Sequence, residues 1–123
     1  MKQYASFEKW LNKYLCLEMS VDVKAINFNL YEASISGDDF DVQLIGAPQY
    51  DSNDPDWACD AIFTTGEDLY NLKANGWEEC IQIIVEYVKR YLAEGKYASK
   101  ISNLCAITVG FVDGDLEVVM ENC

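Results

Sequence analysis

Asp51, Asp54, Asp56 and Asp60 crowd one short stretch, with Tyr50 and Trp57 among them. Carboxylates at this density can do three kinds of chemistry. They can supply oxygen ligands to a divalent cation, exchange protons in acid–base work, or meet a cationic protein surface. Spacing weighs against the best-known calcium loop. Counted from Asp51, it needs glycine at the sixth position and glutamate at the twelfth, and here those places hold Asp56 and Ile62. Acid–base work lacks its usual agent, because the chain has no histidine. A hydrolase that holds magnesium on these acids is an alternative reading, but no lysine or arginine lies between positions 25 and 72 to stabilise a transferring phosphate. A surface for a basic protein is the reading these residues support best. In it Tyr50, Asp51, Asp54, Asp56, Trp57 and Asp60 form the partner-binding set. Trp57 then has two possible roles: an aromatic anchor ringed by acids, or a plug where the loop rejoins the core.

The wider charge pattern points the same way. Between positions 25 and 72 the acids are Glu32, Asp38, Asp39, Asp41, Asp51, Asp54, Asp56, Asp60, Glu67 and Asp68, and the formal net charge of the chain is −12. Such a field repels nucleic acid and anionic membrane and attracts basic partners. There is no phosphate-cradling glycine loop, no G-x-S-x-G elbow and no dinucleotide fingerprint. The expectation is therefore a binding protein rather than an enzyme, with no cofactor and no metal. The cysteines, 16, 59, 80, 105 and 123, form no C-x-x-C pair. They are expected to be reduced and mostly buried, with Cys80 and Cys105 protected and Cys123 reactive through exposure. The N-terminal residues carry no apolar leader core and no run is long enough to span a bilayer, so the expected location is the cytoplasm.

The elements that must position these residues can be read from periodicity. Ser6 suits an N-cap, and Phe7, Trp10, Leu11, Tyr14 and Leu15 follow at helical spacing. Ile26, Phe28 and Leu30 alternate with Asn27, Asn29 and Tyr31 in a strand over 23–35, and a change of parity suggests a bulge near 30–32. A turn at 36–39 leads to a returning strand of Phe40, Val42 and Leu44. A short third strand is expected at 61–65, whereas 66–74 is ambiguous. Asn75 and Glu78 match a capping box for a helix that runs to Glu94 and stops at Gly95, with a broad apolar face centred on Ile84. Asp113-Gly114 reads as a two-residue hairpin turn, which would set Phe111 opposite Leu116, Val109 opposite Val118 and Ile107 opposite Met120. The economical fold is a single α+β domain over 1–123. It is a two-layer sandwich of an antiparallel sheet of four to five strands, with a short N-terminal helix and one long helix on one face.

Four stretches carry a resemblance: Asp56-Trp57-Ala58-Cys59-Asp60, Trp77-Glu78-Glu79, Tyr91-Leu92-Ala93-Glu94-Gly95-Lys96-Tyr97, and Val109-Gly110-Phe111-Val112-Asp113-Gly114-Asp115-Leu116-Glu117. They resemble a group of small, acidic, uncharacterised bacterial cytoplasmic proteins. In size, acidity and α+β pattern the chain is also similar to immunity proteins of polymorphic and contact-dependent toxin systems. That second resemblance implies neutralising a basic toxin domain, for example a nuclease, by covering its active site. Neither resemblance carries a site residue over. A regulatory interaction domain is a further reading, and the oligomeric state is left open.

Overall fold

Three runs of period-two alternation build the centre of the molecule. In the computed structural model, which describes residues 2–17, 19, 21–112 and 114–123, β1 (Ala25–Glu32) is the middle strand of a mixed, open sheet. It pairs antiparallel with β2 (Asp39–Ala47) on one side and parallel with β5 (Ala106–Phe111) on the other. The far side of β2 is covered in two pieces, β3 (Phe63–Thr64) and β4 (Tyr70–Lys73). Where these pieces part, Thr65 replaces a ladder partner: its Oγ1 accepts from the Leu44 N–H at 3.1 Å and its own N–H donates to the Leu44 carbonyl at 3.0 Å. The other edge is β6 (Glu117–Glu121), antiparallel to β5.

The α+β class and the two-layer arrangement are as expected, but the sheet is not wholly antiparallel. The long helix α2 (Trp77–Glu94) is a crossover that returns the chain to the end of the sheet it left, so β5 enters parallel to β1. Two further corrections concern the strands. β1 runs unbroken into its pairing of Glu32 with Phe40, so there is no bulge at 30–32. The hairpin turn rests on Asp113, which lies outside the described residues. Around it the register keeps Ile107 opposite Met120 but then shifts, setting Thr108 opposite Val118 and Val109 opposite Glu117. Val119 is the extra residue of this bulge, and it sends Val118 and Glu117 to the faces opposite those expected.

One face of the sheet carries the main core. Ile26, Phe28 and Leu30 of β1, Phe40, Val42 and Leu44 of β2, and Ile107 and Val109 of β5 meet Cys80, Ile84, Val88 and Tyr91 of α2. The N-terminal helix α1 (Lys2–Leu15) adds Phe7, Leu11 and Leu15 to the same layer, with Phe7 edge-on to Tyr70 at 5.4 Å. Here α1 begins before Ser6, so Ser6 lies within the helix, where its hydroxyl meets the Tyr70 hydroxyl at 2.9 Å. The loop before β4 is pinned to α1 through Asp68. Its carbonyl accepts from Trp10 Nε1 at 2.9 Å, and its carboxylate receives Lys13 Nζ at 2.6 Å and the Tyr14 hydroxyl. A short helix, α3 (Ala98–Ser102), follows α2, and from it Lys100 Nζ donates to the Leu15 carbonyl at 2.6 Å, capping the free end of α1.

The start of α2 differs from the expected capping box by one residue. Gly76, at φ 95°, takes the N-cap place, and Glu79 reaches back to accept the Asn75 N–H at 3.0 Å. A side chain at residue 76 would meet the left-handed backbone penalty that glycine escapes. The stop at Gly95 is where expected.

Candidate functional site

The second face of the sheet carries the acidic loop. Three alanines from three strands, Ala25, Ala47 and Ala106, lie side by side on it, because Ala25 pairs with Ala47 in one direction and with Ala106 in the other. Small side chains at one level across the sheet leave a shallow seat, and Trp57 fills it, only 4% exposed. The indole rides on a 3₁₀ turn, Pro55–Cys59, whose N-cap Asp54 accepts the Asp56 N–H at 3.0 Å. Tyr50 packs edge-on against it at 5.2 Å.

Trp57 is therefore the plug of a small second core, and its role as an exposed partner anchor is corrected. The reason is sheet topology: the alanines that accept it are distant in sequence and become neighbours only through strand order. The acids around it stay outside. Asp51, Asp54, Asp56 and Asp60 are all exposed. Together with Gln49, Tyr50 and Trp57 they line one shallow depression of about 370 Å³. Two of the four also serve the loop itself, since Asp51 accepts the Asn53 N–H at 2.9 Å and Asp54 caps the 3₁₀ turn. Asp60 accepts from Gln49 Nε2 at 3.0 Å. The Tyr50 hydroxyl donates to Glu121 at 2.5 Å, and burial together with that carboxylate pushes the phenol up to about 12.

Beside this depression lies a larger cleft of about 830 Å³ that sequence reasoning missed. Its floor is Asn27, Asn29 and Gln43, the middle of a hydrogen-bonded row that runs on past the cleft at both ends. Thr108 Oγ1 donates to Asn27 Oδ1 at 2.7 Å, Asn27 Nδ2 to Asn29 Oδ1 at 2.5 Å, and Asn29 Nδ2 to Gln43 Oε1 at 3.1 Å. Gln43 Nε2 continues to the Gly66 carbonyl at 2.9 Å. One wall is the 3₁₀ turn, with Asp56 and Cys59. The other is formed by Val112, Gly114, Asp115 and Leu116. Asp115 and Leu116 lie directly over Gly110, where a Cβ would stand 2.6 Å from the Asp115 carbonyl oxygen, so only glycine fits beneath them. The available signal was Asn27 and Asn29, two residues of poor strand propensity at the outward positions of an otherwise apolar strand.

Chemically, floor and walls offer amide donors and acceptors flanked by carboxylates, and among the described residues no lysine or arginine lines either hollow. Such a site can receive ammonium, guanidinium or neutral hydrogen-bonding groups. Among the described residues no group of three or more His, Cys, Asp or Glu side chains is placed to hold a metal ion.

The cysteines depart from expectation. Cys105 and Cys123 form a disulfide, with Cα atoms 4.6 Å apart. The antiparallel return of β6 explains it, because pairing Ala106 with Glu121 brings the flanking positions together. Cys16 and Cys59 are exposed free thiols, and Cys80 alone is buried, with burial pushing its thiol up to about 12. Alkylation of the native protein is expected to label Cys16 and Cys59 quickly and Cys80 only on unfolding, with Cys105 and Cys123 reacting only after reduction. Mass mapping of the labelled peptides checks this, and rapid labelling of Cys123 in unreduced protein would contradict the disulfide.

No helix among the described residues is long and apolar enough to cross a membrane. Comparison of the chain with protein-family models, with curated proteins and with solved structures found no match.

Proposed function

We propose that the chain is a non-enzymatic acidic binding protein that uses the loop around the 3₁₀ turn to meet a basic protein. The observation that supports this best is the convergence of Asp51, Asp54, Asp56 and Asp60, all exposed, on one depression that no basic side chain among the described residues lines. Burial of Trp57 fits the same reading in another way: it fixes the loop that presents the acids, so less order is lost on binding. The most concrete form of the proposal is an immunity protein that covers a basic toxin domain, with the carboxylates facing the toxin's cations. A cytoplasmic location belongs to that form. The Cys105–Cys123 disulfide weighs against it, since reducing compartments seldom maintain such bonds.

The test is co-purification with the product of the neighbouring gene, followed by association kinetics. Charges at the rim of an interface mainly set association rate and its salt dependence. Asp54→Lys combined with Asp56→Lys is therefore expected to slow association by about tenfold or more at low salt and to flatten its salt dependence. A neighbour that binds the variant as fast as the parent would remove the loop from the interface.

A further inference from the structure

A second groove, about 680 Å³ in volume, lies on the opposite side of the sheet, between α2 and β6. None of the residues lining it lines the acidic depression or the amide-floored cleft. Its apolar ridge is Trp77, Ile81 and Val85, spaced by four on one stripe of α2, and Trp77 is 55% exposed at its mouth. Its rim is Glu78, Gln82, Glu86 and Glu117, all exposed, and no lysine or arginine among the described residues lines it. Glu117 reaches this side only because of the Val119 bulge, which sets it opposite Val109.

The strand that borders the groove is open. Among the described residues β6 pairs with β5 alone and ends the sheet, so its outer edge offers a row of backbone donors and acceptors for a further strand. An extended segment laid along this edge would gain ladder hydrogen bonds from β6, and alternate side chains would fall toward the Trp77 ridge.

We infer that this groove docks an extended segment of another protein, basic and apolar in alternation, as an added strand on β6. Charge selects the occupant. The charged groups of the rim are all carboxylates, with Gln82 the one neutral polar side chain among the described residues lining it, so lysine or arginine on the incoming strand completes it. A second copy of this chain would bring its own Glu117 and Glu121, and a further −12 of net charge, against the same edge. The inference does not rest on the acidic loop.

The test titrates isotope-labelled protein with a short peptide of alternating lysine and valine, followed by amide and indole resonances. Shifts are expected at the Trp77 indole N–H and at the 117–121 amides, while the buried indoles of Trp10 and Trp57 stay unmoved. A peptide N-methylated on the edge-facing amides is expected to lose binding, because it cannot complete the ladder. Glu78→Lys with Glu86→Lys, both exposed positions that leave the core untouched, is expected to weaken binding about tenfold or more. Asp54→Lys with Asp56→Lys is expected to leave it unchanged, which separates failure here from failure of the loop proposal. Equal binding of the N-methylated peptide would overturn strand addition. So would shifts confined to the 50–60 loop, or a dimer that forms through β6 in sedimentation experiments.

Discussion

Trp57→Ala is expected to destabilise the protein by about 3–5 kcal/mol, the range for truncating a large aromatic in a packed core. The indole is 4% exposed and rests on Ala25, Ala47 and Ala106, each fully buried. Alanines cannot reach up to refill the space, so the site collapses poorly and the cavity term stays large. Trp57 is also the only buried residue of its 3₁₀ turn, so the turn loses its attachment to the sheet along with the ring. Chemical unfolding followed by far-ultraviolet circular dichroism gives the number without relying on the deleted fluorophore. A loss below about 1 kcal/mol, ordinary for an average substitution, would show that the alanine seat does not hold the loop. The consequence for binding is indirect: once freed, the loop would present Asp54, Asp56 and Asp60 from a wider set of positions. A partner would then lose affinity because the loop must be re-ordered, not because an aromatic contact is missing.

Ile84→Ala is expected to cost about 2–5 kcal/mol by the same cavity mechanism in the main core. Ile84 is fully buried at the middle of α2, in one cluster with Phe28, Val109 and Phe7 from both helices' side of the sheet. Trp77→Ala on the same helix is expected to change stability by no more than about 0.5 kcal/mol, the usual scale for an exposed position. The pair of measurements tests which face of α2 is inward. Similar losses at both positions would mean that Trp77 belongs to the core, and the groove beside β6 would disappear with it.

Much of the architecture follows from local pattern. The inward stripe of α2 shows at a period of 3.6, and Ile84 and Val88 lie on it because every turn returns an apolar residue to the same side. The alternation of Ile26, Phe28 and Leu30, and of Phe40, Val42 and Leu44, sets which face of each strand enters the core. These signals need only neighbours a few residues away. The acidity of the 50–60 loop and its lack of compensating bases are likewise plain from composition, as is the exclusion of histidine chemistry.

What only the tertiary structure decided is non-local. Periodicity gives a strand its faces but not its neighbours, so the parallel pairing of β5 with β1 had to come from the crossover of α2. That adjacency sets Ala106 beside the Ala25–Ala47 pair of the β1–β2 hairpin, completing the seat that turns Trp57 from a possible anchor into a core plug. It also sets Thr108 beside Asn27 to begin the hydrogen-bonded row. One extra residue at Val119 exchanged the faces of Glu117 and Val118, because side chains alternate strictly along a strand and a one-residue shift inverts everything beyond it. The same antiparallel return brought Cys123 to Cys105 across a separation of 18 residues. Local sequence therefore determined the two main helices, β1 and β2, and their inward faces. Contacts between distant segments determined the sites, because each site is assembled from strands that meet only when the sheet closes in one particular order.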